Sequence, residues 1–469
     1  MKKLTAAQAA VYAEGVVYCG PDDNVADSVE RDSRKAGPGS IFVGLAGEIN
    51  DGNDFAEAAY SNGCRMFLLS RRDVCDTMKE KYSDASVIFV EDTLAGMQKL
   101  AKKYLADCDI IKVAVTGSTG KTSTKDMLRC IFESKYRTIS NFENYNNHIG
   151  VPLTVFNVQE DTEAGIFEMG MNHTGEIEVL ADIVRPEIAA ITNVGISHIG
   201  NLGSRENILA AKLEITAFMD SDSTLVYNVD NDMLCSIAGQ DTVYQAVQAG
   251  AEADAGGIVI SDVVDSGDKG IDFVLTAGGE SQAFHIPVPG AHNAWNASLA
   301  VGCGLKYGIS LADAAEALKN LSISGNRLNV QESHGIKIIN DTYNASPDSV
   351  KAAIDVLTAT KCTRKVALLA DMFELGENSD SFHHEVGDYA GEKSTDLVIT
   401  IGENAQHIAA GAAAKIGLDR VISFADSQAF YEAAHDIIRK GDAILVKGSH
   451  GMRMDKVAEY LLKAGAWHE

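Results

Sequence analysis

At 469 residues the chain exceeds what a single hydrophobic core supports, so several domains are expected. Hydrophobic residues make up 46% of it, charged residues 23%, and prolines number only 7, which excludes a disordered chain. Acidic side chains outnumber basic ones by 66 to 40, and the formal charge of −26 excludes broad binding to nucleic acid or anionic membranes.

A nucleotide remains possible, provided backbone amides, a few cations and a metal make a local positive site. The 8 cysteines (Cys19, Cys64, Cys75, Cys108, Cys130, Cys235, Cys303, Cys362) are scattered without a CxxC pair and read as reduced thiols of a cytoplasmic protein. The opening MKKLTAAQAAVYAEG has no apolar stretch after its lysines, which argues against a signal peptide. No window approaches the length of a membrane span, so no membrane insertion is expected.

In chain order, short apolar runs at Ser40–Leu45, Met66–Leu69 and Ser86–Val90 alternate with helix-like stretches, a small α/β unit. A second unit opens with the strand Ile110–Val115, a glycine-rich turn and a helix with Met127, Leu128, Ile131 and Phe132 on one face. Ile166–Met169, Ile188–Thr192 and Thr224–Asn228 read as further buried strands of a mostly parallel sheet. Between Gly256 and Pro289 short alternating runs suggest antiparallel hairpins. A third α/β unit carries strand candidates Ile336–Asn340, Val366–Ala370, Leu397–Ile401, Val421–Phe424 and Ala443–Val446. Ser346, Pro347 and Asp348 mark a helix start there. The expected architecture is α/β in three domains, 1–100, 101–325 and 326–469. The central one is a P-loop mononucleotide-binding domain with a mostly parallel sheet, and the C-terminal one is Rossmann-like.

The strongest local signal is Val113–Ser123, V-A-V-T-G-S-T-G-K-T-S. A strand feeds a glycine turn that opens a helix, so the amides of Gly117, Ser118, Thr119, Gly120, Lys121, Thr122 and Ser123 can converge on phosphate oxygens. Lys121 would reach the β- and γ-phosphates and the Thr122 hydroxyl would sit on Mg²⁺. The spacing G-x-x-G-K-T is shorter than the general Walker pattern, which disfavours a motor or a GTPase.

Downstream lie Asn144–Pro152 (N-Y-N-N-H-I-G-V-P), Phe167–Gly170 (F-E-M-G), Thr192-Asn193, Ser197-His198 and Ala211–Glu214 (A-K-L-E). Glu168 and His198 fall at or just after strand ends, where ligands gather in a parallel sheet. Alone, Glu168 reads more often as a solvated or salt-bridged carboxylate and His198 as a structural histidine. Lys212 could be a helix-surface lysine paired with Glu214 or Glu206. Taken together, with their order and spacing, these elements resemble the Mur ligases, and the resemblance runs from about residue 25 to about 460.

The resemblance implies an ATP-dependent amide-bond ligase that works through an acyl phosphate. It implies two Mg²⁺ ions held by Thr122, Glu168, His198 and Lys212, the last carbamylated by CO₂; the catalytic set is Lys121, His198, Lys212 and Arg327. Pro289–Ala297 resembles the family's G-x-H-N-x-x-N segment, in which Asn293 would read adenine; Asn293 could also be a helix N-cap. Gly325-Asn326-Arg327 would bring Arg327 to the γ-phosphate, and Asp341 would meet the ribose. The run Asp341–Ser349 (D-T-Y-N-A-S-P-D-S) resembles members that add D-alanyl-D-alanine, with Tyr343, Asn344 and Ser346 on the dipeptide, and no DNPR-type stretch is present. Asp371–Gly376, His383 and Val446–Met452 support this, although Glu374 could be a turn carboxylate and Lys447 a solvated strand end. Asp32-Ser33-Arg34, Gly44–Gly47 and Asp51-Gly52 resemble the segment holding the UDP-linked muramoyl peptide, with Ser33, Arg34, Asn146 and Asn147 as contacts. Asn53 departs from the pattern, standing where histidine is usual. The implied division of labour is a UDP-substrate domain, an ATP domain, and a C-terminal domain that binds D-alanyl-D-alanine and closes over ATP, in a monomer. Rival readings are another Mur-type ligase, including one like folylpolyglutamate synthase, a P-loop kinase or motor ATPase, and a non-catalytic nucleotide binder.

Overall fold

The computed structural model describes residues 1–465, 467 and 468. Three sheets follow one another along the chain, and their strands form where continuous apolar runs can be covered on both faces. The first sheet orders Val16–Cys19, Ser86–Phe89, Met66–Leu69, Ser40–Val43 and Ser28–Glu30 side by side. Its first pair is antiparallel and the rest are parallel. A two-stranded ribbon, Leu4–Thr5 with Val25–Ala26, lies beside it.

The central sheet has nine strands. Thr138–Ser140, Ala164–Glu168, Ile111–Thr116, Ile188–Ile191, Thr224–Asn228, Gln245–Gly250 and Ile258–Asp265 run parallel in that spatial order. Ile271–Ala277 and Glu280–Ile286 then extend it antiparallel, the hairpins expected between Gly256 and Pro289. The helices Lys121–Glu133 and His292–Lys306 pack together on one face of this sheet. The helix Thr93–Ala106 runs through residue 100 without a break, and its Met97, Leu100 and Tyr104 join one apolar cluster that reaches into both the first and the central sheets.

The third sheet orders Asn329–Ser333, Ile336–Asn340, Asp442–Lys447, Arg364–Ala370, Leu397–Ile401 and Val421–Phe424. All neighbours are parallel except the first pair. Helices cover both faces, giving two separate apolar clusters. Ser346 caps the helix Pro347–Ala359 with proline in its first turn, as its sequence indicates. The C-terminal ends of the central parallel strands point toward this third unit. Between them lies a cavity of about 1070 Å³.

Candidate active site

Strand Ile111–Thr116 sits between Ile188–Ile191 and Ala164–Glu168, and residues 117–120 leave its end before the helix that starts at Lys121. Gly117 has φ 153°, and a Cβ there would stand 1.8 Å from Thr192 Oγ1. Gly120 has φ 78°, and a Cβ there would meet Asn296 Oδ1 at 2.6 Å. Both glycines are therefore required by space as well as by conformation. Asn193, next along from the neighbouring strand, braces the loop: its Oδ1 accepts from Thr119 N at 3.0 Å and its carbonyl from Ser118 N at 2.9 Å. Lys121 Nζ folds back to donate to the carbonyls of Gly117 (2.8 Å) and Ser118 (3.3 Å). Burial lowers the pKa of that amine, Glu168 opposes the shift, and Arg327 adds to it.

Glu168, 1% exposed at the last position of its strand, accepts from Thr122 Oγ1 at 2.8 Å and from Asn146 Nδ2 at 2.7 Å. Among the described residues it has no salt-bridge partner, which removes the bland reading. His198, at φ 62°, places Nδ1 2.6 Å from Glu374 Oε2 of the third unit. Its imidazole pKa is lowered by burial first, then by Lys121. Lys212 is 2% exposed on the helix Arg205–Leu213 and has no hydrogen-bond or ion-pair partner among the described residues. Burial, reinforced by Lys121, puts its amine well below the usual lysine range. The surface ion pair with Glu214 or Glu206 is thereby overturned. Glu214 instead accepts from the amides of Gly175 and Glu178, and Glu206 is exposed.

Across the cavity, the Arg327 guanidinium lies 3.7 Å over the Tyr343 ring. Asp341 follows the strand Ile336–Asn340, accepts from Leu328 N at 3.2 Å and is ion-paired with Lys447. Lys447 is no solvated strand end: it is 2% exposed, and its Nζ also donates to Asn344 O at 2.9 Å. Glu374 does occupy a turn, at φ 64°, but its carboxylate is directed at His198. His383 is buried, accepting from Met372 N on Nε2 and contacting Ser379 O through Nδ1, which makes it a structural residue.

The cavity wall unites Ser118 to Ser123, Asn146, Glu168, His198, Asn293, Arg327, Asp341, Tyr343, Asn344 and Ser346. Gly117 and Lys212 are not in the wall. Ser33, Arg34 and Asn147 are not brought to it. Arg34 is 87% exposed and paired with its neighbour Asp32, while Asn147 Oδ1 accepts from Ile149 N and Gly150 N at the start of the helix Gly150–Val155. Asn53 turns inward, donating to Gly44 O and Asp51 Oδ1 and accepting from Ser70 N. The N-cap expected at Asn293 is corrected. The helix starts at His292 with Ala291 as its cap, and the buried Asn293 amide donates to Pro289 O and accepts from Asn296 Nδ2.

Asn193, Lys447 and the grip of Asn146 on Glu168 had no assigned role in the sequence. Among the described residues no three His, Cys, Asp or Glu side chains form a metal cage. A divalent ion here would therefore rest on the Glu168 carboxylate, the Thr122 hydroxyl and phosphate oxygens, the hard oxygen ligands that suit Mg²⁺, with the His198 imidazole beside them.

Residues 115–304 match the family model for the Mur ligase middle domain, and residues 326–450 match the Mur ligase glutamate ligase domain. A UDP-N-acetylmuramoyl-tripeptide–D-alanyl-D-alanine ligase of Bacillus subtilis (strain 168) is 37% identical over 445 residues, 94% of each chain. A crystal structure of MurF from Acinetobacter baumannii superposes with a TM-score of 0.89 at 26% identity, covering 99% of both chains. MurF ligase from Thermotoga maritima in complex with ADP gives a TM-score of 0.80 at 25% identity, covering 93% of this chain and 97% of that one.

Proposed function

Since this chain belongs to the Mur ligase family, among the ligases that join D-alanyl-D-alanine to UDP-N-acetylmuramoyl-tripeptide, we propose how its residues share that ATP-dependent, ADP-forming work in peptidoglycan precursor synthesis. A kinase, a motor ATPase or a folylpolyglutamate-type ligase is not favoured, because relatives matching along 94% of the chain carry the tripeptide ligase name.

A carboxylate is a poor electrophile toward an amine. In the proposed reaction the tripeptide's terminal carboxylate attacks the γ-phosphate of ATP, giving an acyl phosphate and ADP. The dipeptide amine then adds to the acyl carbon, and phosphate leaves from the tetrahedral intermediate. The amides of Gly120 to Ser123 at the helix start cradle the phosphates while those of Ser118 and Thr119 stay on Asn193, and Lys121 turns from its two loop carbonyls onto them. Arg327, whose charge already acts on Lys121, neutralises the transferring phosphoryl group from the opposite side.

Thr122 and Glu168 fit Mg²⁺ as oxygen donors, and His198 is proposed as the nitrogen ligand beside them. When bound, two such ions would supply charge neutralisation and orient the phosphoryl oxygens. Lys212 fits the carbamate reading because its amine is buried, without a partner among the described residues, and depressed in pKa. As a free base it can add to CO₂ and release one proton, leaving an anionic oxygen ligand. Asn293 and Asp341 are proposed for adenine and ribose, and Tyr343, Asn344 and Ser346 for the dipeptide. Ser33, Arg34, Asn146 and Asn147 are proposed for the UDP-linked substrate, which would lie along residues 1–100, with ATP on 101–325 and the dipeptide on 326–469. No helix among the described residues is long and apolar enough to cross a membrane. A cytoplasmic monomer is proposed, in keeping with 8 cysteines that are all free.

The observation that carries this reading is that the phosphate loop, the Thr122–Glu168 pair and Arg327 face one cavity. Mass spectrometry of a reaction holding ATP, UDP-linked tripeptide and D-alanyl-D-alanine tests it. The expected product gains the mass of the dipeptide less one water; ATP hydrolysis without ligation would contradict the assignment.

A further inference from the structure

The segment after Asn193 touches both halves of the site. On the central side, Gly195 N donates to Ser118 Oγ at 2.9 Å, tying the segment to the phosphate loop. On the other side, it meets the third unit at three points. His198 Nδ1 lies 2.6 Å from Glu374 Oε2, Gly200 N donates to Glu374 O at 3.2 Å, and Ile196 N reaches Asp348 Oδ2 at 3.4 Å. The approach is close enough to need glycine: a Cβ on Gly200 would stand 2.9 Å from Gly376 N and 3.0 Å from Glu374 O. His198 and Glu374 both hold left-handed backbone, at φ 62° and 64°, a conformation that surrounding structure must impose on non-glycine residues. The His198–Glu374 contact falls short of hydrogen-bond alignment.

We propose that Glu374 is a positioning residue for the ligation: docking of the third unit delivers its carboxylate to His198 and orients that imidazole toward the phosphate loop. The inference rests on the ligase reading above. It goes further in naming the carboxylate that aims His198, because the second nitrogen of an imidazole is aimed by whatever holds the first.

The test uses the full chain with all three substrates and compares Glu374→Gln, Glu374→Asp, Gly200→Ala and the Gly200→Ala/Glu374→Gln double variant. Glu377→Gln, an exposed neighbour in the same turn, serves as control. Amide exchange at Gly200 reports docking independently of turnover. Glu374→Gln should keep Gly200 protected and the KM for ATP within about twofold while kcat falls about tenfold or more, with Glu374→Asp recovering part of the loss. Gly200→Ala should lose both protection and kcat, and adding Glu374→Gln to it should cost no more, since the carboxylate is already out of reach. A Glu374→Gln enzyme with parental kcat, or one whose kcat falls only in step with lost Gly200 protection, would overturn the proposal. Failure of the parent chain to form ligated product would instead strike the ligase reading itself, before any variant is compared.

Discussion

The two walls of the cavity are made in different ways. The phosphate loop is one contiguous stretch, Gly117 to Ser123, held by backbone geometry, two glycines without room for a side chain, and the brace of Asn193. The facing wall gathers Arg327, Asp341, Tyr343, Glu374 and Lys447 from separate strand ends, and side-chain pairs between distant residues hold it together. A loop of the first kind is shaped before substrate arrives. A wall of the second kind takes its shape from the packing of a whole unit. Removing the Lys121 side chain from the loop should therefore abolish chemistry and spare the fold, whereas breaking the Asp341–Lys447 pair opposite should cost stability as well.

The largest effect is expected at Lys121. Among the described residues its amine hydrogen-bonds only to loop carbonyls, so Lys121→Ala should leave the thermal midpoint unchanged while kcat falls by roughly 10²–10³ or more, the scale for removing one transition-state donor. A folded variant with near-normal ligation would erase the contrast between the walls.

Lys212 sharpens it next. A buried amine with no partner among the described residues contributes little to the fold, so Lys212→Met should unfold at the parental temperature or above it. Its turnover should drop by about 10- to 100-fold, as for loss of a group supporting a metal site. Formate or acetate at matched ionic strength should restore part of the rate in Lys212→Ala by supplying the missing oxygen. Parental activity without the additive would rule out the carbamate.

On the facing wall, Lys447→Ala strips Asp341 of its ion-pair partner inside the protein. It should lower stability by about 3–5 kcal/mol, the cost of breaking a buried pair from one side. Chemical denaturation of the two proteins measures this, and a change below about 1 kcal/mol would mean the pair behaves like a surface one.

The same division explains what could be read from sequence. Strands buried on both faces stand out as apolar runs, and Met66–Leu69, Ile336–Asn340 and Leu397–Ile401 coincide with the observed strands to the residue. Asn329–Ser333, an edge strand reading N-V-Q-E-S, and Gln245–Gly250, half exposed, carry no such run and pass unnoticed. The phosphate loop was legible because its chemistry is local. The pairing of Lys447 with Asp341, or of Glu374 with His198, was not, because only tertiary packing sets those distances. Asn293 shows the reverse error: its residue type suggested a cap, but Ala291 closes the helix and Asn293 turns inward to Pro289 and Asn296.

The central claim is that one cavity phosphorylates a peptide carboxylate and then passes the acyl group to D-alanyl-D-alanine. Tripeptide substrate carrying ¹⁸O in its terminal carboxylate tests it most directly, with the released phosphate analysed by mass spectrometry. Attack of that carboxylate on ATP predicts that one labelled oxygen leaves with each phosphate, while the ligated product retains the other. Unlabelled phosphate accompanying full ligation would contradict the acyl-phosphate route.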